Sequence, residues 1–516
     1  MKLYKALSIA LAGTLLLSSC SDWFDVTSSN EIREKDHYSK DSGFKQTLTG
    51  CYLTMSEENL YGMNLSWFVP DLIANQTRLY SGSSSSALAS DFQSHNYNTT
   101  RSQTVVENIW TSGYNVIVNA NEALAVIDEK KAELDDINYH VIKGELLAVR
   151  AFMHFQLLRL YGFGDLTRLS TALETYPTIP YVTTVDKNIA PQVTYPEFFN
   201  DLVKDLNASL ELLKDYDPVC GKHDVAYYEN VNDDGFYATR NNRLNYYAVE
   251  ALLAQVYMWE GSSSSLSSAL TLCNDIIGAL GDGVSIRFDN SNTFIVNFST
   301  PATLNRANAS LINEALFAIS VNDLDTKMQG YINPSYADTD YNAIYLTESQ
   351  MKDIYDDEAT PDEDESTTDV RVTVLLSQNL SASEQGYVPL KLYQRNLTST
   401  FYANRVPVIR LPEIYYMAAE CYAKQGNAEK AMSLVNTIRE NRALYTPLTN
   451  LTADEVITEI GKEYRKEFLG EGEIFYYYKR TGATSIPNYD SMNEFGYILP
   501  YPDDETAAGR RQFPVD

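Results

Sequence analysis

The sequence predicts a mostly α fold, in which tetratricopeptide-like helix pairs form one half and an irregular, loop-rich half holds a few short strands. Three observations carry this reading. Apolar residues recur at three- and four-residue spacing through 106–127, 137–161, 195–213, 243–259, 266–280, 411–424, 428–442 and 453–469, the mark of amphipathic helices. A small-residue pattern occurs twice. Strand-like patches are few, at 316–321, 370–376 and 387–392.

The repeated pattern lies in AAECYAKQGNAEKAMSLVNTIR, where Ala419, Tyr422, Gly426 and Ala431 match the tetratricopeptide spacing. Small residues there let two helices approach, and the tyrosine fills the gap. In ALLAQVYMWEG, Ala254, Tyr257 and Gly261 fall at the same offsets, before serines interrupt the turn ahead of Ala269. Between the copies, 281–407 has little helical period and many Asn, Asp, Ser and Thr, with tyrosines at Tyr331, Tyr336, Tyr341 and Tyr345. A loop region this long inside a compact fold tends to be functional.

At the N-terminus, Lys2 and Lys5 precede an apolar run over 6–17 that ends in Leu17-Ser18-Ser19-Cys20. This is a secretory signal, too short to span a bilayer, which needs about 20 residues. It resembles a bacterial lipobox, which implies cleavage before Cys20 and acylation of its thiol. The expected organisation is a signal at 1–19, a lipidated tether at 20–40 and a single unit at 41–516. That unit divides into a helical part at 41–280, a ligand-reading region at 281–407 and a C-terminal helical part at 408–516.

A net charge of -29 opposes nucleic acid and anionic membrane surfaces, which demand Lys/Arg patches. Beyond the signal, Cys51, Cys220, Cys273 and Cys421 are widely spaced and form no CxxC; Cys421, on an apolar helix face, reads as a buried free thiol. No HExxH, GxSxG or Walker loop is present, so no catalytic residue is assigned. The five histidines are scattered, and His154, inside a helical segment, reads as a packed core residue. The stretch 230–235 resembles a calcium loop, but Asn241 stands where the bidentate Glu belongs, so it reads as solvated. The acidic run from Asp362 to Asp369 is read the same way. No metal or cofactor is expected.

Several stretches carry a family likeness. IWTSGYNVIVNANEAL from Ile109, GELLAVRAFMHFQLLRLYG from Gly144, TYPEFFNDLVKDLNASLELL from Thr194, RLPEIYYMAAECYAKQGNAEKAMSLVNTIRENR from Arg410 and EIGKEYRKEFLGEGEIFYYYKRTG from Glu459 follow one another, and Ile498-Leu499-Pro500-Tyr501-Pro502 closes the chain. In order and spacing they resemble the SusD/RagB family of surface lipoproteins over nearly the whole chain. The resemblance implies a protein anchored by lipid at the outer membrane and facing the cell exterior. It would capture an oligosaccharide and deliver it to a SusC-like TonB-dependent transporter without cleaving it. It also implies that the tetratricopeptide side contacts the channel while the irregular half faces the ligand. Some RagB-like members handle peptides, which leaves a peptide binder as the alternative, with a surface glycosidase and a ligand-free scaffold behind it.

Glycan capture asks for aromatic faces against the C–H surface of sugars, flanked by hydrogen-bonding groups. Two stretches offer the mixture. WFVPDLIANQTRLY supplies Trp67, Asp71, Asn75, Gln76, Arg78 and Tyr80; the middle region supplies Tyr331, Tyr336 and Tyr341 near Asn333 and Asp338. Trp67 and Phe68 read equally well as core, because they precede Val69 and Leu72.

Overall fold

The computed structural model describes residues 36–79, 85–281, 285–289, 309–332, 344–355, 369–379, 386–394 and 401–512. The chain enters on α1 (Asp41–Met55). A π-turn at Asn64–Phe68 runs into α2 (Val69–Ile73), and β1 (Arg78–Leu79) precedes α3 (Ser86–Gln93). Two long helices follow, α4 (Thr100–Val126) and α5 (Asp136–Tyr161), then α6 (Leu166–Leu173), α7 (Tyr195–Leu213), α8 (Tyr246–Glu260) and α9 (Ser263–Ala279). The middle holds β2 (Ala315–Ser320), α10 (Leu324–Met328), β3 (Ile344–Thr347), α11 (Glu348–Tyr355), α12 (Val370–Thr373), β4 (Leu376–Asn379), β5 (Gly386–Pro389) and β6 (Arg405–Arg410). The chain closes through α13 (Leu411–Lys424), α14 (Ala428–Asn441), α15 (Ala453–Glu467), α16 (Glu473–Thr481) and α17 (Asp503–Ala507).

Helix starts follow local chemistry. Thr194 and Thr452 each accept a hydrogen bond from the backbone three residues on and receive a glutamate in return, the reciprocal capping box. Asn245 and Ser262 cap α8 and α9 in the same sense. Gly261 and Gly426, at φ +77° and +80°, turn the chain out of α8 and α13 through the left-handed region. These turns make two helix hairpins, α8 on α9 and α13 on α14, and α9 packs on α13, so the two sequence repeats are neighbours in space. Ala254, Ala269, Ala419 and Ala431 are fully buried there, and the Tyr422 hydroxyl meets Asn274 Nδ2 at 3.1 Å. The stack extends outward through α7, α5, α4 and α1.

Among the described residues every segment predicted helical forms a helix, and the fold is mostly α with few short strands. The stretch 370–376 departs from its strand reading: Asp369 accepts a hydrogen bond from Arg371 N at 2.8 Å and winds 370–373 into α12 before β4 begins. The spacing of Phe44, Leu48, Cys51, Tyr52 and Met55 marks α1, and these residues are buried against α4 and α5. The described cysteines are all unpaired; Cys421 is buried, its Sγ 3.4 Å from Met258 Sδ.

Helix α5 is buried on nearly every side, so its polar residues need partners within the protein. Arg150 donates twice to Asp205 at 2.7 Å and once to Asn121 Oδ1 at 2.9 Å. Glu145 accepts from Arg240 and from the Tyr52 hydroxyl, while Arg240 also holds Asp217 at 2.8 and 2.9 Å. His154 lies against Nδ1···O of Arg150 at 2.8 Å and accepts from Val182 N at Nε2; burial pushes its pKa down to about 3, so it is a neutral core residue.

A second buried network ties the middle region to the C-terminal helices. Glu467 accepts from Arg410 at 2.8 Å, Arg442 at 2.8 and 3.0 Å, and Arg371 at 3.3 Å. Glu314, at the foot of β2, takes Arg410 at 2.8 Å and Arg442 at 2.9 Å. Glu463 takes Arg371 and Arg439, and Glu471 takes Arg410 and Lys391. The guanidinium groups hold the Glu463 and Glu467 carboxyls well below the usual range even though burial opposes this.

Glu250 on α8 shows the opposite sign. Its Oε2 is buried without a hydrogen-bond partner among the described residues, and burial pushes its pKa up to about 7. The folded state therefore keeps a proton that the unfolded chain, titrating near 4.5, has released, so this residue's contribution to stability is present below about pH 4.5 and lost as pH rises toward 7. Glu250→Gln is expected to flatten that fall and to gain about 1–3 kcal/mol over the wild type at pH 8 while changing little at pH 4.5. Urea titrations at the two pH values check it; equal effects at both would contradict it.

Candidate functional site

The two stretches singled out as ligand-reading meet. Pro70 opens α2, and the π-turn before it swings Trp67 and Phe68 inward. Asn75, at φ +55°, adopts the left-handed conformation that asparagine tolerates, and its Nδ2 donates to Gln93 O at 3.1 Å, turning the chain into β1. There β1 joins a four-stranded antiparallel sheet in the order β1-β3-β5-β4, with Arg78 paired to Tyr345 and Leu79 to Ile344. Beside it the Tyr331 ring rests on Trp67 at 4.7 Å and on Phe68 at 6.2 Å. Tyr80, Tyr336 and Tyr341 lie outside the described residues, as do Asn333 and Asp338.

Burial divides the candidates. Trp67, Asp71, Asn75 and Gln76 are interior, Tyr331 is half-buried and Arg78 is exposed. The Asp71 Oδ1 accepts from Gly472 N at 3.2 Å, and burial drives its pKa well above the usual carboxylate range. Asp71 Oδ2 and Trp67 Nε1 have no hydrogen-bond partner among the described residues, and the cavity they share with Lys391 measures about 10 Å³. That is room for one water at most, not for a sugar. Gly472, at φ +82°, is required at this joint, since a Cβ would sit 2.1 Å from Ser66 O.

On the surface, the Arg78 guanidinium makes no ion pair with a described residue. Tyr345, its partner across the strands, lies over Gly386, where a Cβ would come within 2.8 Å of the ring. A half-exposed phenol beside an exposed guanidinium provides a flat apolar face and planar donors, the combination that takes up a sugar ring and its hydroxyl pairs. Tyr345 was visible as one of several loop tyrosines; its cross-strand place beside Arg78 depends on a pairing between segments that sequence spacing does not reveal.

Elsewhere, a cleft of about 550 Å³ opens between α4, the segment 180–191 and α17. Asp234, in the calcium-like stretch, is paired with Lys45 at 2.9 Å. Among the described residues no group of three or more His, Cys, Asp or Glu is placed to hold a metal ion, and no helix is long and apolar enough to cross a membrane. Cys20 and the acidic run 362–365 lie outside the described residues, whereas Asp369, read with that run as solvated, is buried because it pairs with Arg371 at 2.7 Å.

Residues 22–221 match the family described as SusD-like, starch-binding associating with outer membrane, and residues 232–508, more than half the chain, match the SusD family. No curated protein is matched. Solved structures share the fold at low identity. A SusD superfamily protein from Bacteroides thetaiotaomicron is 20% identical over 92% of this chain and 100% of its own, with a TM-score of 0.65. A SusD-like carbohydrate binding protein from Bacteroides vulgatus is 17% identical over 91% and 97%, with a TM-score of 0.67. A SusD homolog from Bacteroides thetaiotaomicron is 17% identical over 94% and 99%, again with a TM-score of 0.67.

Proposed function

This chain belongs to the SusD family, and from that premise we propose that it is a glycan-capturing lipoprotein of the outer membrane that binds oligosaccharides without cleaving them. Acyl chains on Cys20 hold it at the surface, since several chains on one cysteine anchor a protein that need not span the bilayer. It hands its ligand to a SusC-like TonB-dependent transporter. The observation that carries the reading is the junction of β1 with β3, which sets Arg78 beside Tyr345 and brings Tyr331 onto Trp67. The surface so formed has the ring and donor chemistry that carbohydrate capture requires, and Tyr80, Tyr336 and Tyr341 belong to the same two segments.

Affinity electrophoresis through gels cast with a panel of plant, host and microbial polysaccharides tests this. At least one polysaccharide is expected to retard the wild type, and Arg78→Ala with Tyr345→Ala to weaken retention about tenfold or more, because removing a ring and a charged donor costs at least 1–3 kcal/mol. Both residues lie at the surface, so the melting temperature should hold. Retention unchanged in the double variant would remove these residues from the site, and a mobility unaffected by every polysaccharide would overturn glycan capture.

A further inference from the structure

The cleft between α4, segment 180–191 and α17 takes no part in the Arg78–Tyr345 surface, and its chemistry is different. Its floor holds Tyr114, whose hydroxyl donates to Pro180 O at 2.9 Å, with Val118 one turn along α4. Its lip carries Val185 and Ile189, 47% and 61% exposed, which are among the most exposed large apolar side chains described. Asp186 lies between them on the chain, fixed by Thr184 Oγ1 at 3.0 Å and Asn188 N at 2.6 Å. Across the cleft Glu505 is neutralised by Arg511 at 2.8 Å, whereas the Asp504 carboxylate accepts no hydrogen bond from a described residue. Among the described residues neither the Asp186 nor the Asp504 carboxylate has an ion-pair partner, and two exposed aliphatic side chains accompany them.

The volume lies within the range of about 300–1,000 Å³ that ligand sites occupy. A sugar is the weaker match: the Trp110 ring is 4% exposed, closed in by Tyr114, Tyr161 and Tyr501 at 4.9, 4.9 and 5.3 Å, and offers no free face. Exposed aliphatic residues rimmed by charge mark protein contacts, and uncompensated carboxylates on a chain of net charge -29 select a cation. We propose that this cleft docks an extended segment of a partner protein in which an aliphatic residue adjoins a lysine or arginine. The aliphatic group packs on Val185, Ile189 and Val118, and the cation sits between Asp186 and Asp504.

The test is fluorescence anisotropy of a labelled decapeptide of alternating leucine and lysine, with a leucine–glutamate decapeptide as counter-probe, on the whole mature chain. Asp186→Asn with Asp504→Asn, and separately Val185→Ser with Ile189→Ser, should each weaken the leucine–lysine peptide about tenfold. Glu429→Gln with Glu440→Gln, which removes the same charge from the exposed side of α14, should leave it unchanged. These positions are at the surface, so the variants are expected to fold. Equal weakening in the α14 control would mean that net charge alone attracts the peptide and would overturn the proposal, as would no binding. Polysaccharide retention on the same gels should be untouched by the cleft variants; if they lose it instead, the cleft belongs to the sugar site and the docking role fails, while glycan capture stands.

Discussion

Glu467→Ala is expected to destabilise the protein by about 3–5 kcal/mol at pH 7, because it leaves buried cations without their shared anion. The carboxylate receives four hydrogen bonds from Arg371, Arg410 and Arg442, and these side chains are at most 1% exposed. Glu314, Glu463, Glu471 and Asp369 remain as counter-ions, but none of them pairs with all three guanidinium groups. The penalty should depend on pH. The folded pKa of Glu467 lies well below the unfolded value near 4.5, so its contribution is fully present above that value and lost as pH falls through the folded pKa. The gap between variant and wild type should therefore narrow at pH 3.5. Urea midpoints at pH 7 and 3.5 measure it, with Glu429→Ala on the exposed face of α14 as a control within about 0.5 kcal/mol of wild type. A midpoint at pH 7 no lower than the control's would show that the network adds nothing to stability.

The same network explains what sequence reading reaches and what it misses. Helical period identified α4, α5, α7, α8, α9 and α13 to α15, which run for 14 residues or more and pack against neighbours close in sequence. On α15 the apolar positions Val456, Ile460 and Tyr464 mark the buried stripe, and Glu463 and Glu467 fall beside it at three-residue offsets. Their burial was thus readable as two acids on a core face, but their partners Arg371, Arg410 and Arg442 come from other elements, which no local pattern connects. Strands β1, β3 and β4 are two to four residues long, so alternation has too few positions to show, and β1 pairs with a strand far along the chain. The aromatic α16, EIFYYYKRT, is nine residues long, about two and a half turns, so it offers few positions over which a period can show. The candidate site was legible as two stretches rich in rings and donors. That they meet, and that β1 sets Arg78 rather than Asp71 at the surface, follows from the sheet.

Trp67 is where the two readings of one ring separate by experiment. At 4% exposed, and packed on Phe68 at 5.5 Å and Tyr331 at 4.7 Å, it stands behind the surface tyrosine. Trp67→Ala removes this backing and should cost about 3–5 kcal/mol, as truncation of a buried tryptophan does. Trp67→Phe keeps most of the contact and removes an indole N–H that has no hydrogen-bond partner among the described residues, so about 1 kcal/mol or less is expected. Thermal melts separate the pair, and polysaccharide retention measured well below the melting temperature separates support from contact. If the indole only props Tyr331, the phenylalanine variant should retain glycan as the wild type does. If instead Trp67→Ala melts with the wild type and yet releases the glycan, the ring is a ligand platform in solution and the closed packing around it does not persist there.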